Sequence, residues 1–154
     1  MNVARNIEAA ALASAAEAPS ERMRRVAEVA ARHADEVDRE GRFPAETIAA
    51  LKREGLLGVA IPTKYGGEGL GTTAVANLIV QLAQACGSSA MIYAMHQIKT
   101  SSFVMHGEES QWHRAYMRRI AAEQLLLASA TTEAGIGGNL RNSICAVELA
   151  DGRF

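Results

Sequence analysis

Apolar residues recur three and four positions apart through most of this chain, which predicts a series of amphipathic helices. Ser20 is suited to cap the first of them, and Met23, Val26, Ala27, Ala30, Ala34 and Val37 then share one face with charge on the other. Gly41 stands where a left-handed residue would end that helix. Phe43-Pro44 opens a second helix, because proline is tolerated at the first helical position; Ile48 and Leu51 form its apolar face and Gly55 stops it. Leu56 to Ile61 reads as a short extended apolar run closed by Pro62, and Tyr65-Gly66-Gly67-Glu68-Gly69 as a loop with unusual backbone angles. Thr72 or Thr73 caps a third helix, with Val75, Leu78, Ile79 and Leu82 inward. Gly87-Ser88-Ser89 separates it from a fourth, which carries Met91, Ile92, Met95 and Phe103 and ends near Gly107. A fifth, from about Glu109 to Glu123, turns Trp112, Tyr116 and Ile120 inward.

The pattern changes at Leu125. Leu125-Leu126-Leu127 has no helical periodicity, Ser129 to Thr132 is rich in small and hydroxyl residues, and Gly135-Ile136-Gly137-Gly138-Asn139 is a glycine loop. Ser143 to Leu149 alternates only in part, and Asp151-Gly152 signals a hairpin with just Arg153 and Phe154 to begin the returning strand. The expected organisation is a loosely held leader over residues 1–19, a helical domain over 20–124, and the incomplete start of a β domain over 125–154. A lone strand with an open edge is a liability, so the sequence reads as stopping inside a hairpin.

Composition narrows the function. Apolar residues make up 49% of the 154 positions and aromatics 5%, and much of the apolar share is helix-favouring alanine. A formal net charge of -1 offers no electrostatic pull on nucleic acid. No apolar run approaches a membrane span, and Glu8 interrupts the N-terminal stretch that would imitate a signal peptide. The two cysteines, Cys86 and Cys145, have neither zinc-ligand spacing nor the density of a disulfide framework, and isolated thiols fit a reducing cytoplasm.

Two segments in order then become specific. Residues 40–70, EGRFPAETIAALKREGLLGVAIPTKYGGEGL, resemble the early helix pair and Pro-x-x-Tyr-Gly-Gly-x-Gly turn of the acyl-CoA dehydrogenase superfamily. Residues 130–139, ATTEAGIGGN, resemble that family's Thr-Glu-Pro-Gly-Ala-Gly-Ser-Asp signature, and the likeness extends over about residues 20–154. The resemblance implies a mostly α chain: the N-terminal helical domain of a fold that continues into a middle β-barrel and a C-terminal four-helix domain, with FAD between those last two.

The resemblance also implies site residues. Thr132 matches the threonine that hydrogen-bonds the flavin, and Thr131 the preceding position, whose backbone faces the ring. Gly137 and Gly138 match positions along the cofactor and near the thioester, where glycine permits close backbone approach. The fourth helix helps wall the acyl pocket, which makes Ile92, Met95 and His96 candidate substrate lining. Three positions depart from the pattern: Ala134 replaces proline, Gly138 serine and Asn139 aspartate. The missing serine hydroxyl weakens the link to CoA thioesters, because flavin monooxygenases and nitroalkane oxidases of the superfamily vary in this loop. The family's catalytic carboxylate lies in the C-terminal domain and nothing here matches it; Glu133 belongs to the signature and reads as structural.

Plainer readings stand beside these. His96 fits a buried packing residue, Met91, Met95 and Met105 fit core filler, and Arg22, Arg24 and Arg25 fit a wet helix face. His106 and His113 flank a helix start and read as solvated, and Glu108 and Glu109 face different directions, so they form no catalytic pair. The function that follows is α,β-dehydrogenation of an acyl thioester with FAD, in a full-length protein that is a homo-oligomer. The alternatives are a flavin monooxygenase of the same superfamily and a non-catalytic helical module. The chain by itself is expected to bind FAD weakly or not at all and to oxidise no acyl-CoA.

Overall fold

The computed structural model describes residues 17–130 together with Glu133, Gly135 and Ile144. Among these residues five helices follow in order: α1 (Pro19–Glu40), α2 (Ala45–Arg53), α3 (Thr72–Ala83), α4 (Gly87–His106) and α5 (Gln111–Glu123), with a 3-10 turn at Thr63–Tyr65. No strand occurs among the described residues, and 125–130 has no regular secondary structure. The helical domain is therefore as expected, whereas most of the expected β segment falls outside the described residues.

The periodic faces close as a core should. Met23, Val26 and Ala30 of α1, Ile48 and Leu51 of α2, and Val75, Leu78 and Leu82 of α3 pack with Cys86, Ala90 and Tyr93 around one apolar centre. A smaller cluster joins Ile61, Tyr65, Met117 and Ile120 where the 3-10 turn meets α5. The helix limits differ slightly from expectation. Proline begins α1 at Pro19 with Ala18 as its cap, Pro44 caps α2 from outside, and Gly71 precedes α3. Gly41 does end α1 with left-handed backbone (φ 59°), and the Arg42 amide donates to the Val37 carbonyl at 3.2 Å.

The arginines of α1 are not one wet face. Arg22 donates to the Glu54 carbonyl at 2.9 Å and to both carboxylate oxygens of Glu68 at 2.7 Å, tying α1 to the end of α2 and to the glycine loop. Arg25 reaches Glu54 and Glu17. Hydrogen bonding from Arg25 holds the Glu54 carboxyl below the usual carboxylate range. Only Arg24, paired with Glu21 and Glu28 on its own exposed helix face, matches the solvated reading.

The largest correction concerns Leu56 to Ile61. Every residue of this run is buried, yet it turns rather than extends, with the Ile61 amide donating to the Gly58 carbonyl at 3.1 Å. Buried irregular backbone needs partners for its polar groups, and this segment has them. Leu70 donates to the Val59 carbonyl and Gly69 to that of Ile61, while side chains from α4 take the Leu56 and Leu57 carbonyls and Gln124, at the end of α5, takes the Leu57 amide. An apolar run of six cannot reveal this, because a strand and a sealed turn bury the same residue types.

Candidate functional site

Supplying those side chains determines the character of α4. Its inward face holds Ser89, Ala90, Tyr93, His96, Gln97 and Thr100, a mostly polar set. The Tyr93 hydroxyl donates to the Leu56 carbonyl at 3.0 Å, the Gln97 amide to the same carbonyl at 3.2 Å, and the His96 ring meets the Leu57 carbonyl at 2.8 Å. The expected apolar face divides: Ile92 and Phe103 are half-buried against the two cores, whereas Met91 is 64% exposed and Met95 40%, beside Ile98 at 57% and Met105 at 75%. The methionines are therefore not core filler. The fold needs hydrogen-bond donors under α4, and the methionines are left outside.

The end of α5 completes the arrangement. Gln124, with left-handed backbone (φ 50°), accepts the Leu57 amide on its side-chain oxygen at 2.9 Å and donates to the Ala121 carbonyl at 2.7 Å. Gly58 makes the approach possible, since a Cβ there would stand 2.9 Å from the Ala121 Cα. The chain then passes His96, where the Leu127 amide donates to Nδ1 at 3.0 Å. Nδ1 is thus the acceptor, which assigns the proton to Nε2 for donation to Leu57.

Beyond this point, Leu126, Leu127, Ala128, Ser129 and Ala130 line a groove of about 430 Å³ with Lys99, Phe103, Trp112 and Tyr116. Trp112 and Tyr116 stack with centroids 4.9 Å apart, and Phe103 packs on Tyr116 at 5.4 Å. Trp112 is 62% exposed and forms a groove wall, while Met117 takes the inward place expected of it. His106 is exposed, whereas His113 is half-buried against Phe103. Glu108 pairs with Lys64 at 2.5 Å in the turn before α5, and Glu109 is in that turn with it.

The three candidate lining residues separate. Met95 stands on the exposed apolar face, Ile92 is half-buried against the core, and His96 is fully enclosed with both ring nitrogens engaged. Thr131, Thr132, Gly137 and Gly138 lie outside the described residues. Glu133 accepts the Ile144 amide at 2.7 Å. No group of three His, Cys, Asp or Glu side chains among the described residues is placed to hold a metal ion, and none of their helices is long and apolar enough to cross a membrane.

A family model described as the N-terminal domain of acyl-CoA dehydrogenase matches residues 14–124. The chain belongs to the acyl-CoA dehydrogenase family. It is 32% identical over 107 residues to a probable acyl-CoA dehydrogenase, FadE25, of Mycobacterium tuberculosis, a span covering 70% of this chain and 27% of that protein. It is 33% identical over 106 residues to an acryloyl-CoA reductase (NADH) of Anaerotignum propionicum, covering 69% and 27%. A cyclohex-1-ene-1-carbonyl-CoA dehydrogenase of Geobacter metallireducens is 32% identical over 106 residues, covering 68% and 28%. Each match thus spans a little over a quarter of these acyl-CoA dehydrogenase relatives. No solved structure matches the chain significantly.

The His96 environment has a measurable consequence. Burial lowers its pKa from the ordinary 6.5, so the folded chain resists a proton that the unfolded chain accepts. The unfolded state then binds more protons below that value, and stability is present above about pH 6.5 and lost as pH falls through the folded pKa. Denaturant titrations between about pH 7.5 and 5.5 should show falling stability, and His96→Gln should flatten that dependence. Equal slopes in the two proteins would contradict the assignment. Glu36, Glu46 and Glu54, whose pKa values are lowered chiefly by hydrogen bonds from Arg42 and Arg25, act in a separate and more acidic window.

Proposed function

We propose that this chain is the N-terminal portion of an FAD-dependent enzyme that introduces a Cα–Cβ double bond into an acyl thioester. The family match over residues 14–124 carries the reading. The exposed Met91, Met95 and Ile98 face of α4 supports it, because flexible thioethers and a branched alkyl group suit an acyl chain of adaptable length. His96 backs this wall from inside rather than lining it, and Ile92 occupies its edge.

FAD supplies hydride acceptance when bound. In this chain the Thr132 hydroxyl would donate to the pyrimidine edge of the flavin, the Thr131 backbone would face the ring, and Gly137 and Gly138 would permit close approach. The described approach to them fits: Ala128, Ser129 and Ala130 are small and line one side of an open groove, with the aromatic side chains of Phe103, Trp112 and Tyr116 along the other. The substrate base belongs to no residue of this chain. The same arrangement serves the opposite direction, reduction of an unsaturated acyl thioester, a reading favoured by the acryloyl-CoA reductase among the similar proteins. We further propose that the full-length protein is a cytoplasmic homo-oligomer.

Thr132→Val in the full-length protein tests the reading. It keeps the shape and removes a donor toward a position that gains negative charge on reduction. A hydrogen bond to a charged group contributes about 1.5–3 kcal/mol, so the flavin potential should fall measurably while the helical domain stays folded. Redox titration and FAD affinity are the measurements, with dye reduction by a series of acyl-CoA esters as the activity. Unchanged potential and unchanged affinity would reduce Thr132 to a turn residue. Oxygen consumption with hydroxylated product, in place of dye reduction, would favour the monooxygenase alternative.

A further inference from the structure

We propose that His96 is a positioning residue that latches the Leu125–Ala130 segment onto the buried Leu56–Ile61 turn, and so sets where the backbone enters the Thr131–Gly138 loop. The consequence for that loop rests on the flavin reading above; the latch itself does not.

Two backbone segments that are distant in sequence must be held at a fixed separation here, and neither is a helix or a strand. One presents a carbonyl, that of Leu57, and the other an amide, that of Leu127. The bridging group therefore needs a donor on one edge and an acceptor on the other, on a rigid frame. Neutral imidazole with its proton on Nε2 has that form, while lysine and arginine offer donors alone. The ring is fully enclosed, so water cannot replace either partner. Thr100 adds a second restraint by donating its hydroxyl to the His96 carbonyl at 3.0 Å, and Tyr93 stacks on the ring at 6.4 Å. Gln124 makes a parallel link by holding the Leu57 amide. Leu57 is thus gripped at both its polar groups, one by the end of α5 and one by α4, and Leu127 is registered against it through a single ring.

A histidine that merely filled space would show no preference for one tautomer and would not govern the Leu127 amide. Protonation would place an N–H on Nδ1 against the Leu127 N–H, so the latch holds only in the neutral form. Burial disfavours the charged form in the same direction.

Nuclear magnetic resonance on the 154-residue chain tests this directly. Long-range proton–nitrogen correlation in the unsubstituted protein should show a neutral ring protonated at Nε2, with scalar coupling between the Leu127 amide and Nδ1. His96→Gln places an amide near the Nε2 position and leaves the Leu127 amide without an acceptor. Its exchange with deuterium should rise about tenfold, while core amides of α2 and α3 keep their protection. His96→Asn places a carbonyl near the Nδ1 position and should preserve Leu127 protection. An Nδ1-protonated ring, absence of the coupling, or equal Leu127 exchange in the Asn and Gln variants would overturn the latch. If a variant fails to fold, the tautomer and coupling of the unsubstituted protein decide alone. FAD affinity of the full-length His96→Gln and unsubstituted proteins separates the two claims. Weaker binding in the variant supports the positioning of the loop, and unchanged binding overturns it. Absence of FAD binding in both would remove the flavin reading and leave the latch standing.

Discussion

Gly67→Ala should destabilise this fold by about 3 kcal/mol or more, since overpacking costs roughly 1–3 kcal/mol and sheltered hydrogen bonds are lost in addition. The cause is contact, not backbone angle. An added Cβ would stand 2.1 Å from the Ile61 carbonyl oxygen and 2.6 Å from that of Gly58. Neither oxygen is free to move away. The Ile61 carbonyl accepts the Gly69 amide at 2.8 Å and the Gly58 carbonyl accepts the Ile61 amide at 3.1 Å. The methyl group therefore displaces the backbone of the buried turn on which α4 and Gln124 converge. Gly87, at the start of α4, makes the contrast. A Cβ there meets nothing within 4 Å, so Gly87→Ala should be neutral or stabilise by up to about 1 kcal/mol through helix propensity. Denaturant midpoints of the two variants should move in opposite directions, or the second not at all. A Gly67→Ala protein as stable as its parent would show that the turn is not rigidly held.

Tyr93→Ala should cost about 3–5 kcal/mol, the range for removing a large aromatic side chain from a closed core. Tyr93 is the largest fully enclosed side chain among the described residues and packs with residues of α1, α2 and α3 in the main core. Tyr93→Phe separates the ring from its hydroxyl. The Leu56 carbonyl keeps the Gln97 amide as donor, so this change should cost only about 1 kcal/mol. Thermal unfolding of the pair measures the difference. If the phenylalanine variant is as unstable as the alanine variant, the hydroxyl and not the ring holds the turn.

The difference between these sites and the sequence expectation has a physical origin. The face of α1 is legible because its buried residues, Met23, Val26, Ala30 and Val37, are apolar ones at helical spacing, so burial and hydropathy agree. On α4 they disagree. Tyr93, His96 and Gln97 are inside because a buried turn requires their hydrogen bonds, and that turn becomes visible only in three dimensions. Met91, Met95 and Met105 are accordingly outside, where hydropathy alone expects them in the core. Arg22 and Arg25 belong to the same class: their partners Glu54 and Glu68 are distant along the chain. The family was legible through the Pro62–Gly69 turn, whose glycines Gly66 and Gly69 have positive φ and whose Gly67 admits no side chain. Of the candidate site, the sequence motif points to the threonines and glycines after Ala130, which lie outside the described residues. The His96 contact that leads to them left no periodic signal, because a lone histidine on a helix looks the same with or without partners.

The outward face of α4 also makes the chain its own chemical gauge. Met91, Met95 and Met105 expose thioethers to solvent, whereas those of Met23 and Met117 are sealed. Oxidation to the sulfoxide follows accessibility, so brief peroxide treatment divides the described methionines into a reactive set on one helix and a protected set in the cores. The protected pair records whether the domain is folded. The reactive three record whether anything covers α4, which makes a peptide map of oxidised methionine a readout of assembly that requires neither cofactor nor substrate.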